Sequence, residues 1–386
     1  MDKGRRNFFK LVAAGSIGAG FTPVMPASLA NISSVQPTKT NIADALNYPR
    51  NENSLPGRYP GRVVRITDNK SVAGNIIQED AVFGMLREGM MKLTGSGGVS
   101  SAWRQFVSPG EVIGLKVNPI GGRLLSTSHA LVGSVISQLE ESGISRGNII
   151  IFDRRKKQLL DAGFTPENYP GIKIMGTEHV DENGSYYNEK GELYSLSRID
   201  RDWFYWADCE MEYGENLLPH MVNQGKYSYF SKIVTRQLDK IINLPVMKNA
   251  GASITLCLKN LGYGVITNTS RLHSTLWAET SAQVCAFPPV RDKVVLNIAD
   301  GIKGCYDGGP GANPQFFTDY KTLLLGTDPV AVDMTGYDII IGKRIKMGRQ
   351  DDFSDAGLRQ MVLAGQLGLG VAERERIDLR TIGRSS

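Results

Sequence analysis

Polar side chains that could bind or transform a small molecule follow several apolar segments that we predict to be β-strands. These residues are Lys116, Asn118, Asp153, Arg154, Arg155, Lys248, Asp300 and Asp328. Ligands of open parallel sheets bind beyond the carboxyl ends of the strands, so we expect these residues to line one rim. Because lysines hold anions through charge-assisted hydrogen bonds, the pattern predicts a small anionic ligand. The candidate ligand-binding residues are Lys116, Asn118, Lys248, Asn260 and Asp328.

The segment after Lys248 is a candidate anion site, because it leads into a predicted helix over residues 253–261. Free backbone N–H groups and the dipole at a helix N-terminus favour an anion, although an ordinary strand-to-helix turn is the alternative. Lys259 and Asn260 lie off the apolar stripe of this helix. They are therefore available to a ligand, or are simply solvated. The segment is not a P-loop, since Gly-x-x-x-x-Gly-Lys-Ser/Thr is absent.

The candidate catalytic residues are His273, Asp300 and Lys259. Imidazole and carboxylate groups move protons, and carboxylate oxygens also bind divalent metal ions, which makes Asp300 and Asp333 candidate metal ligands. Asp333 lies among apolar residues, so its carboxylate must be paired, hydrogen-bonded or metal-bound. Asp328 precedes a proline, and Asp at the N-cap followed by Pro is a common helix start, which gives this residue a structural alternative.

The N-terminus has the layout of an export signal. Arg5 and Arg6 precede a short, glycine-interrupted apolar stretch at 11–21, and small residues then lead to Ala30. This order is typical of a removable signal peptide, and the arginine pair resembles the twin-arginine signal. A basic amphipathic surface helix is the alternative. We expect the twin-arginine translocase to recognise residues 1–30, with cleavage after Ala30, a periplasmic location and no membrane anchor thereafter.

Composition excludes several classes of protein. The 386 residues include 44 Lys+Arg and 39 Asp+Glu, a net charge of +5, of which +3 lies in residues 1–30. The remaining +2 is too small to predict nucleic-acid binding. The four cysteines form no Cys-x-x-Cys pair, so no iron–sulfur motif is present. In an oxidising compartment they could form up to two disulfides, although Cys257 is expected to be a buried thiol.

Apolar strands alternate with helical patterns along the chain, which predicts an α/β fold. We expect a mostly parallel sheet with helices on both faces. The predicted strands are 62–66, 112–117, 149–152, 172–175, 240–246, 294–298 and 323–325. The predicted helices are 76–93, 129–142, 253–262, 274–286, 329–342 and 354–366.

The predicted organisation has five parts. The signal at 1–30 is followed by an irregular leader at 31–59, the α/β domain at 60–345 and a helical extension at 346–386. Residues 177–235 form an aromatic-rich insertion in the α/β domain, with eleven Tyr, Trp and Phe residues singled out there. Such a segment could be a ligand-stacking wall or partner surface, or a small core beneath the insertion.

Several blocks of the sequence resemble the domain of unknown function 362 family. The blocks are 241–245 (IINLP), 256–261 (LCLKNL), 299–302 (ADGI), 308–310 (GGP) and 326–333 (GTDPVAVD). The resemblance extends over about residues 60–345 and places Arg271 and His273 where that family usually has a basic residue and a histidine. It implies an α/β fold but no established reaction. Some members are described as iron–sulfur proteins, but this chain lacks their cysteines. It also has Asn249 and Ala250 where many members have a histidine.

These observations lead to two functional hypotheses. The first is an exported periplasmic enzyme, or a protein dependent on a cofactor such as a divalent metal, that acts on a small anionic ligand at the strand ends. The second is a non-catalytic periplasmic protein that binds a ligand or a redox partner. A weaker third alternative is an exported scaffold subunit of a respiratory complex.

Overall fold

The computed structural model describes residues 38–251, 253–349 and 355–384. Fifteen strands lie in these residues, named here β1 to β15 in chain order. Their bounds are Arg62–Asp68, Val72–Ala73, Ile76–Ile77, Ile113–Val117, Ile149–Arg155, Lys173–Glu178, Ile199–Trp206, Tyr227–Ser231, Lys240–Leu244, Val246–Ala250, Ser253–Thr255, Val294–Cys305, Phe317–Thr318, Thr322–Gly326 and Asp378–Arg384. Arg5, Arg6 and Ala30, the predicted signal residues, lie outside the described residues.

Eleven α-helices, named α1 to α11, connect and cover the strands in the described part of the chain. Their bounds are Ile42–Asn47, Glu79–Thr94, Val99–Trp103, His129–Glu141, Lys156–Asp161, Cys257–Gly262, Leu272–Thr275, Trp277–Gln283, Pro288–Arg291, Pro329–Lys346 and Asp355–Gln366. None of the described helices is both long and apolar enough to cross a bilayer.

The main sheet has the strand order β15-β1-β14-β12-β9-β4-β5-β6, and β14 alone on this path runs against the others. The central strands β4 and β9 are almost continuously buried. Parallel strands whose two faces are both covered are expected to consist mainly of apolar residues, and β4 and β9 do. The α/β prediction is therefore confirmed.

Two hydrophobic clusters cover the two faces of the sheet. Successive residues of β5 alternate between them: Ile149 and Ile151 pack with α2 and α4 on one face. Ile150 and Phe152 pack on the other face, with α6, α8 and α10. This alternation follows from the period of two along a strand, and it confirms that helices cover both faces.

Several segments differ from the sequence prediction: the leader at 31–59 contains helix α1, residues 76–77 form β3 rather than the start of a helix, and α8 ends at Gln283. Three further differences concern the site and the edge of the sheet. Residues 253–255 form strand β11, which pairs with β10 in a hairpin, so the helix predicted from 253 begins at Cys257. Strand β12 continues to Cys305 and therefore includes Asp300, which was expected after a strand. The helical extension contains α11 as predicted, but it ends in β15, which pairs in parallel with β1 at the edge of the sheet.

The aromatic-rich insertion contains the antiparallel hairpin of β7 and β8. Tyr205 and Phe230 are buried and contact Phe287 of the main core. Phe204, Tyr227 and Tyr229 instead contact one another, and of these Tyr227 is exposed while the other two are half-buried. The segment therefore provides both a small core and a group of accessible aromatic side chains.

Candidate functional site

The order of the strands reverses between β4 and β9. From β4 the chain adds β5 and β6 on one side of the sheet, and it later adds β9 and β12 on the other side. The carboxyl ends of strands at such a reversal form the usual ligand crevice of an open α/β sheet. Lys116 and Asn118 lie at the end of β4, and Lys248 lies in β10, which continues from β9.

Four of the predicted ligand-binding residues meet at this reversal in one buried polar network. The Lys116 ammonium donates to Asp153 at 2.5 Å and to the Asn260 side-chain oxygen at 3.1 Å. That oxygen also accepts from the Asn118 amide at 3.1 Å. The Asn118 oxygen in turn accepts from Lys248 at 3.2 Å. We call these five residues the buried network.

The donors of the buried network are taken by protein groups. Lys116 also donates to the Val117 carbonyl, and Lys248 donates to the carbonyls of Ile120 and Leu125. Both lysines are fully buried, and burial lowers the pKa of Lys116 and lowers that of Lys248 to about 7. In this arrangement the four predicted residues hold α6 and the loop after β4 in place, rather than presenting donors to a ligand.

A glycine permits the close packing of this network. A Cβ at Gly264 would lie 2.2 Å from the Lys116 Cε and 2.3 Å from the Asn260 carbonyl oxygen, well inside van der Waals contact. Any side chain there would displace Lys116 or the end of α6.

Asp328 and Asp333 cap helices. Asp328 accepts from the backbone N–H groups of four residues, which are Gly61, Val330, Ala331 and Val371, all at 2.9 Å. The predicted N-cap role of Asp328 is thus confirmed. Asp333 accepts from Cys257 at 2.6 Å and Leu258 at 3.0 Å, the first residues of α6. Burial raises the pKa of Asp328 to about 6 and that of Asp333 to about 7.

Asp300 lies apart from the other two candidate catalytic residues. Its carboxylate accepts from the Ser128 N–H at 2.8 Å and the Ile302 N–H at 3.1 Å, and burial raises its pKa. It lines a cavity of about 350 Å³ at the start of α4, which neither Lys259 nor His273 lines. Among the described residues, no group of three or more His, Cys, Asp and Glu side chains is placed to hold a metal ion. The prediction that Asp300 and Asp333 bind a metal ion stays a prediction, and both carboxylates already accept from backbone N–H groups.

His273 and Lys259 do come together. The His273 ring lies 4.4 Å from the Tyr263 ring, between centroids, and the Lys259 ammonium lies 5.8 Å from the centroid of the same ring. Thr269 connects His273 to β5, because its carbonyl is 2.9 Å from His273 Nδ1 and its hydroxyl accepts from Arg154. We call Arg154, Arg155, Lys259 and His273 the basic cluster.

The basic cluster has more positive than negative charge. Arg155 is 2.8 Å and Arg154 3.5 Å from the buried Glu178 carboxylate, which is also 3.4 Å from His220. The other nearby carboxylate, Asp153, is paired with Lys116. Lys259 has no hydrogen bond or ion pair with any residue that the structure describes, although its side chain is partly buried.

Removal from water controls the protonation of the cluster. It lowers the pKa of the Lys259 ammonium to about 8 and also lowers that of Arg154, despite the attraction of Glu178. The pKa of His273 falls to about 4, because of desolvation and then the positive charges of Lys259, Arg154 and Arg155. At pH 7 the imidazole is therefore neutral while Lys259 is mostly charged.

The neutral imidazole of His273 has a defined tautomer. A carbonyl oxygen only accepts hydrogen bonds, so Nδ1 must carry the proton that it donates to Thr269. The lone pair is then on Nε2, which can accept a proton from a ligand or bind a metal. His273 keeps an exposed surface, so a ligand can reach it.

The sequence does not predict the whole of this cluster. Arg154 and Arg155 are expected at the strand ends but are not among the candidate site residues, and no pattern marks Tyr263, Thr269 or Glu178. The available signal was the basic run that begins at Arg154, immediately after the apolar residues of β5. The pairing with Thr269 arises only from the tertiary fold, since 115 residues separate Arg154 and Thr269.

Arg271, which the resemblance also singled out, has a structural role. Its buried guanidinium donates to the carbonyls of Ala207, Cys209 and Lys226 and to the Ser228 hydroxyl. These bonds join the loop that carries His273 to the aromatic-rich insertion. All four cysteines are free thiols in this structure, and Cys257 is buried, as expected. Burial raises the pKa of the Cys257 and Cys285 thiols.

Comparisons with known proteins agree in part with the resemblance. No curated protein matches the chain. A crystal structure of a protein from Thermotoga maritima is similar with a TM-score of 0.36 and 9% sequence identity, over 71% of this chain and 60% of that one. The chain thus spans less than two thirds of that protein. Residues 213–338, which include Lys259 and His273, match the family model of the domain of unknown function DUF362 and so support the family that the sequence resembles.

Proposed function

We propose that this protein binds a small anionic ligand, a phosphate or carboxylate compound, at the basic cluster. The observation that carries the proposal is the partly buried Lys259 ammonium, which has no hydrogen bond or ion pair with any described residue. Its positive charge acts on His273 together with the charges of Arg154 and Arg155, and these two arginines share one carboxylate. Leaving like charges together in a desolvated place is costly unless an anion offsets them. The position of Arg154 and Glu178 at the ends of β5 and β6 also agrees with the ligand position of open sheets.

Calorimetric titration of the purified chain with inorganic phosphate tests this proposal. We expect Lys259→Met to weaken binding about tenfold or more, because one charge-assisted hydrogen bond is lost. The matched control is Lys157→Met, since Lys157 is an exposed lysine in α5 whose contact is with Asp161. Unchanged affinity in Lys259→Met, or no binding to the unaltered chain, would contradict the proposal.

We further propose that a bound phosphate ester is hydrolysed. The Nε2 atom of His273 accepts a proton from the attacking water, whose oxygen bonds to phosphorus while the ester P–O bond breaks and the alcohol leaves with a proton from solvent. The fixed tautomer of His273 supports this role. The alternative is a non-catalytic binding protein, which would release its ligand unchanged. Incubation with a panel of phosphate esters, followed by ³¹P NMR, distinguishes the two. An enzyme of this kind loses turnover in His273→Ala while it keeps most of its phosphate affinity, whereas a binding protein shows no turnover at all.

The periplasmic location and the twin-arginine route are also proposals, and they rest on Arg5, Arg6 and Ala30. Cell fractionation tests them. We expect the unaltered chain in the periplasm, shortened by 30 residues, and the Arg5→Lys/Arg6→Lys chain in the cytoplasm at full length. Equal export of both chains would exclude the twin-arginine route.

A further inference from the structure

A second cavity lies between helix α10, strand β1 and the edge strand β15. Its volume is about 460 Å³, within the range of cavities that hold small organic ligands. It shares no residue with the basic cluster. Arg65 of β1, Tyr320 before β14, and Asp338 and Lys343 of α10 are among its lining residues.

The cavity has an excess of positive charge. Arg65, Lys343, Lys346 and Arg374 line it, and Asp338 is the one acidic residue among the described lining residues. Asp338 is already held by Arg374, through contacts of 2.7 to 3.1 Å to both carboxylate oxygens. Among the described residues, no carboxylate therefore offsets Arg65 or the two lysines.

Two buried polar atoms at this cavity lack partners. The Nε atom of Arg65 and the hydroxyl oxygen of Tyr320 are shielded from solvent, yet neither has a hydrogen-bond partner in the part of the chain that the structure describes. Native proteins satisfy most such atoms, since each unsatisfied one destabilises the folded state. A guanidinium and a phenol are both donors, and an anionic oxygen would accept from both.

The remaining wall of the cavity is apolar. Ile339 of α10, Ile377 immediately before β15 and Leu379 of β15 line it, and a Cβ at Gly342 would meet no atom within 4 Å. Leu379 is about half exposed, at 46% of its surface, so its side chain is accessible to a ligand in the cavity. The donors and the apolar wall together suit a molecule with an anionic head and an apolar body.

We propose that this cavity is a second binding site, for an organic anion whose phosphate or carboxylate group contacts Arg65, Tyr320 and Lys343 and whose apolar part packs on Ile339, Ile377 and Leu379. The site is separate from the basic cluster, so either can be lost without the other. The competing view is that the cationic residues are only solvated surface groups.

Titration with phenyl phosphate tests the proposal. The full chain carries Lys259→Met as a background, so that the basic cluster does not contribute. We expect one molecule to bind, at least tenfold more tightly than either inorganic phosphate or phenol, because only phenyl phosphate reaches both the donors and the apolar wall. Equal affinity for phenyl phosphate and inorganic phosphate, or no binding, would overturn the proposal.

Variants in the same background locate the binding. Arg65→Met is expected to weaken phenyl phosphate binding about tenfold and Tyr320→Phe severalfold, while Lys157→Met leaves it unchanged. Lys343→Met, at a half-buried position of α10, provides a second test if Arg65→Met alters the melting temperature. Unchanged affinity in both Arg65→Met and Lys343→Met would place the ligand elsewhere and refute the site.

Discussion

The buried network and the basic cluster lie next to each other at the carboxyl ends of the same strands, and both include lysines. In the buried network, Lys116 and Lys248 each donate to three protein oxygens. In the basic cluster, Lys259 has no such partner among the described residues. The difference shows that position after a strand does not identify a ligand-binding lysine. The number of protein acceptors around the ammonium group separates a structural lysine from one that is available to a ligand.

The largest expected effect separates the two regions by stability. Asp153→Ala leaves the Lys116 ammonium buried without its counter-charge, so we expect a loss of about 3–5 kcal/mol in the free energy of unfolding. Lys259→Met should change it by about 0.5 kcal/mol or less, since no protein partner is lost. Urea denaturation of the two variants measures both values. Similar losses in the two variants would remove the distinction between the regions.

Asp328 is a second carboxylate that protein donors already surround, so it extends the comparison of structural and available side chains. Asp328→Ala removes acceptors from four backbone N–H groups, two of them in α10. We expect a loss of about 2 kcal/mol or more in the free energy of unfolding, because a missing N-cap costs about 1 kcal/mol and other N–H groups are also left unpaired. The matched control is Asp44→Ala, an exposed acid in α1. A loss below about 0.5 kcal/mol would show that Asp328 is not an essential cap.

The pH dependence of anion binding tests whether the charge of Lys259 determines the affinity of the basic cluster for phosphate. With its pKa lowered to about 8, Lys259 is charged below that pH and becomes neutral above it. Phosphate affinity should therefore fall as the pH rises from about 7 to about 9. Calorimetry at several pH values measures this fall, which should be absent in Lys259→Met. An affinity that does not vary with pH in the unaltered chain would contradict the assignment of Lys259.

The smallest expected effect concerns His273. Because desolvation and the neighbouring cations lower its pKa to about 4, the imidazole stays neutral from pH 5 to pH 8. An NMR titration of the His273 ring protons should show no change over that range. In Lys259→Met the pKa of His273 should rise, since one positive charge is removed. A midpoint near 6.5 in the unaltered chain would show that His273 is outside the influence of the cluster.

The apolar pattern predicted the sheet well where strands are buried on both faces. Ile149, Ile150 and Ile151 form a run that only a covered strand accommodates, and the helices beside it follow the expected period. The hairpin of β10 and β11 was not predictable in the same way. A lysine is rarely buried within a strand, so Lys248 indicated a loop after β9 instead of a further strand. Strand β15 is polar and partly exposed, so its sequence lacks the apolar pattern that would predict a strand paired with β1.

The candidate site was predicted in fragments. Lys259 is predicted from its position off the apolar stripe of a helix, and His273 from a polar stretch before another helix and from the family resemblance. The two side chains do flank the same tyrosine ring. Asp300 is predicted because it follows a strand pattern, but it lies at another cavity. Side chains that converge from distant segments, such as Arg154 and Thr269, depend on strand order and loop path. Neither can be read from one sequence.

The most direct test of the central claim is a crystal structure of the chain soaked with selenate, an oxyanion that is located by its anomalous scattering. The account predicts an anomalous peak within hydrogen-bond distance of the Lys259 ammonium and next to Arg154, and loss of this peak in crystals of Lys259→Met. A peak at the cavity of Arg65 would be compatible with this result. The contrary result would be crystals in which selenate binds at other sites but not at Lys259. That result would contradict the claim that the basic cluster binds an anion.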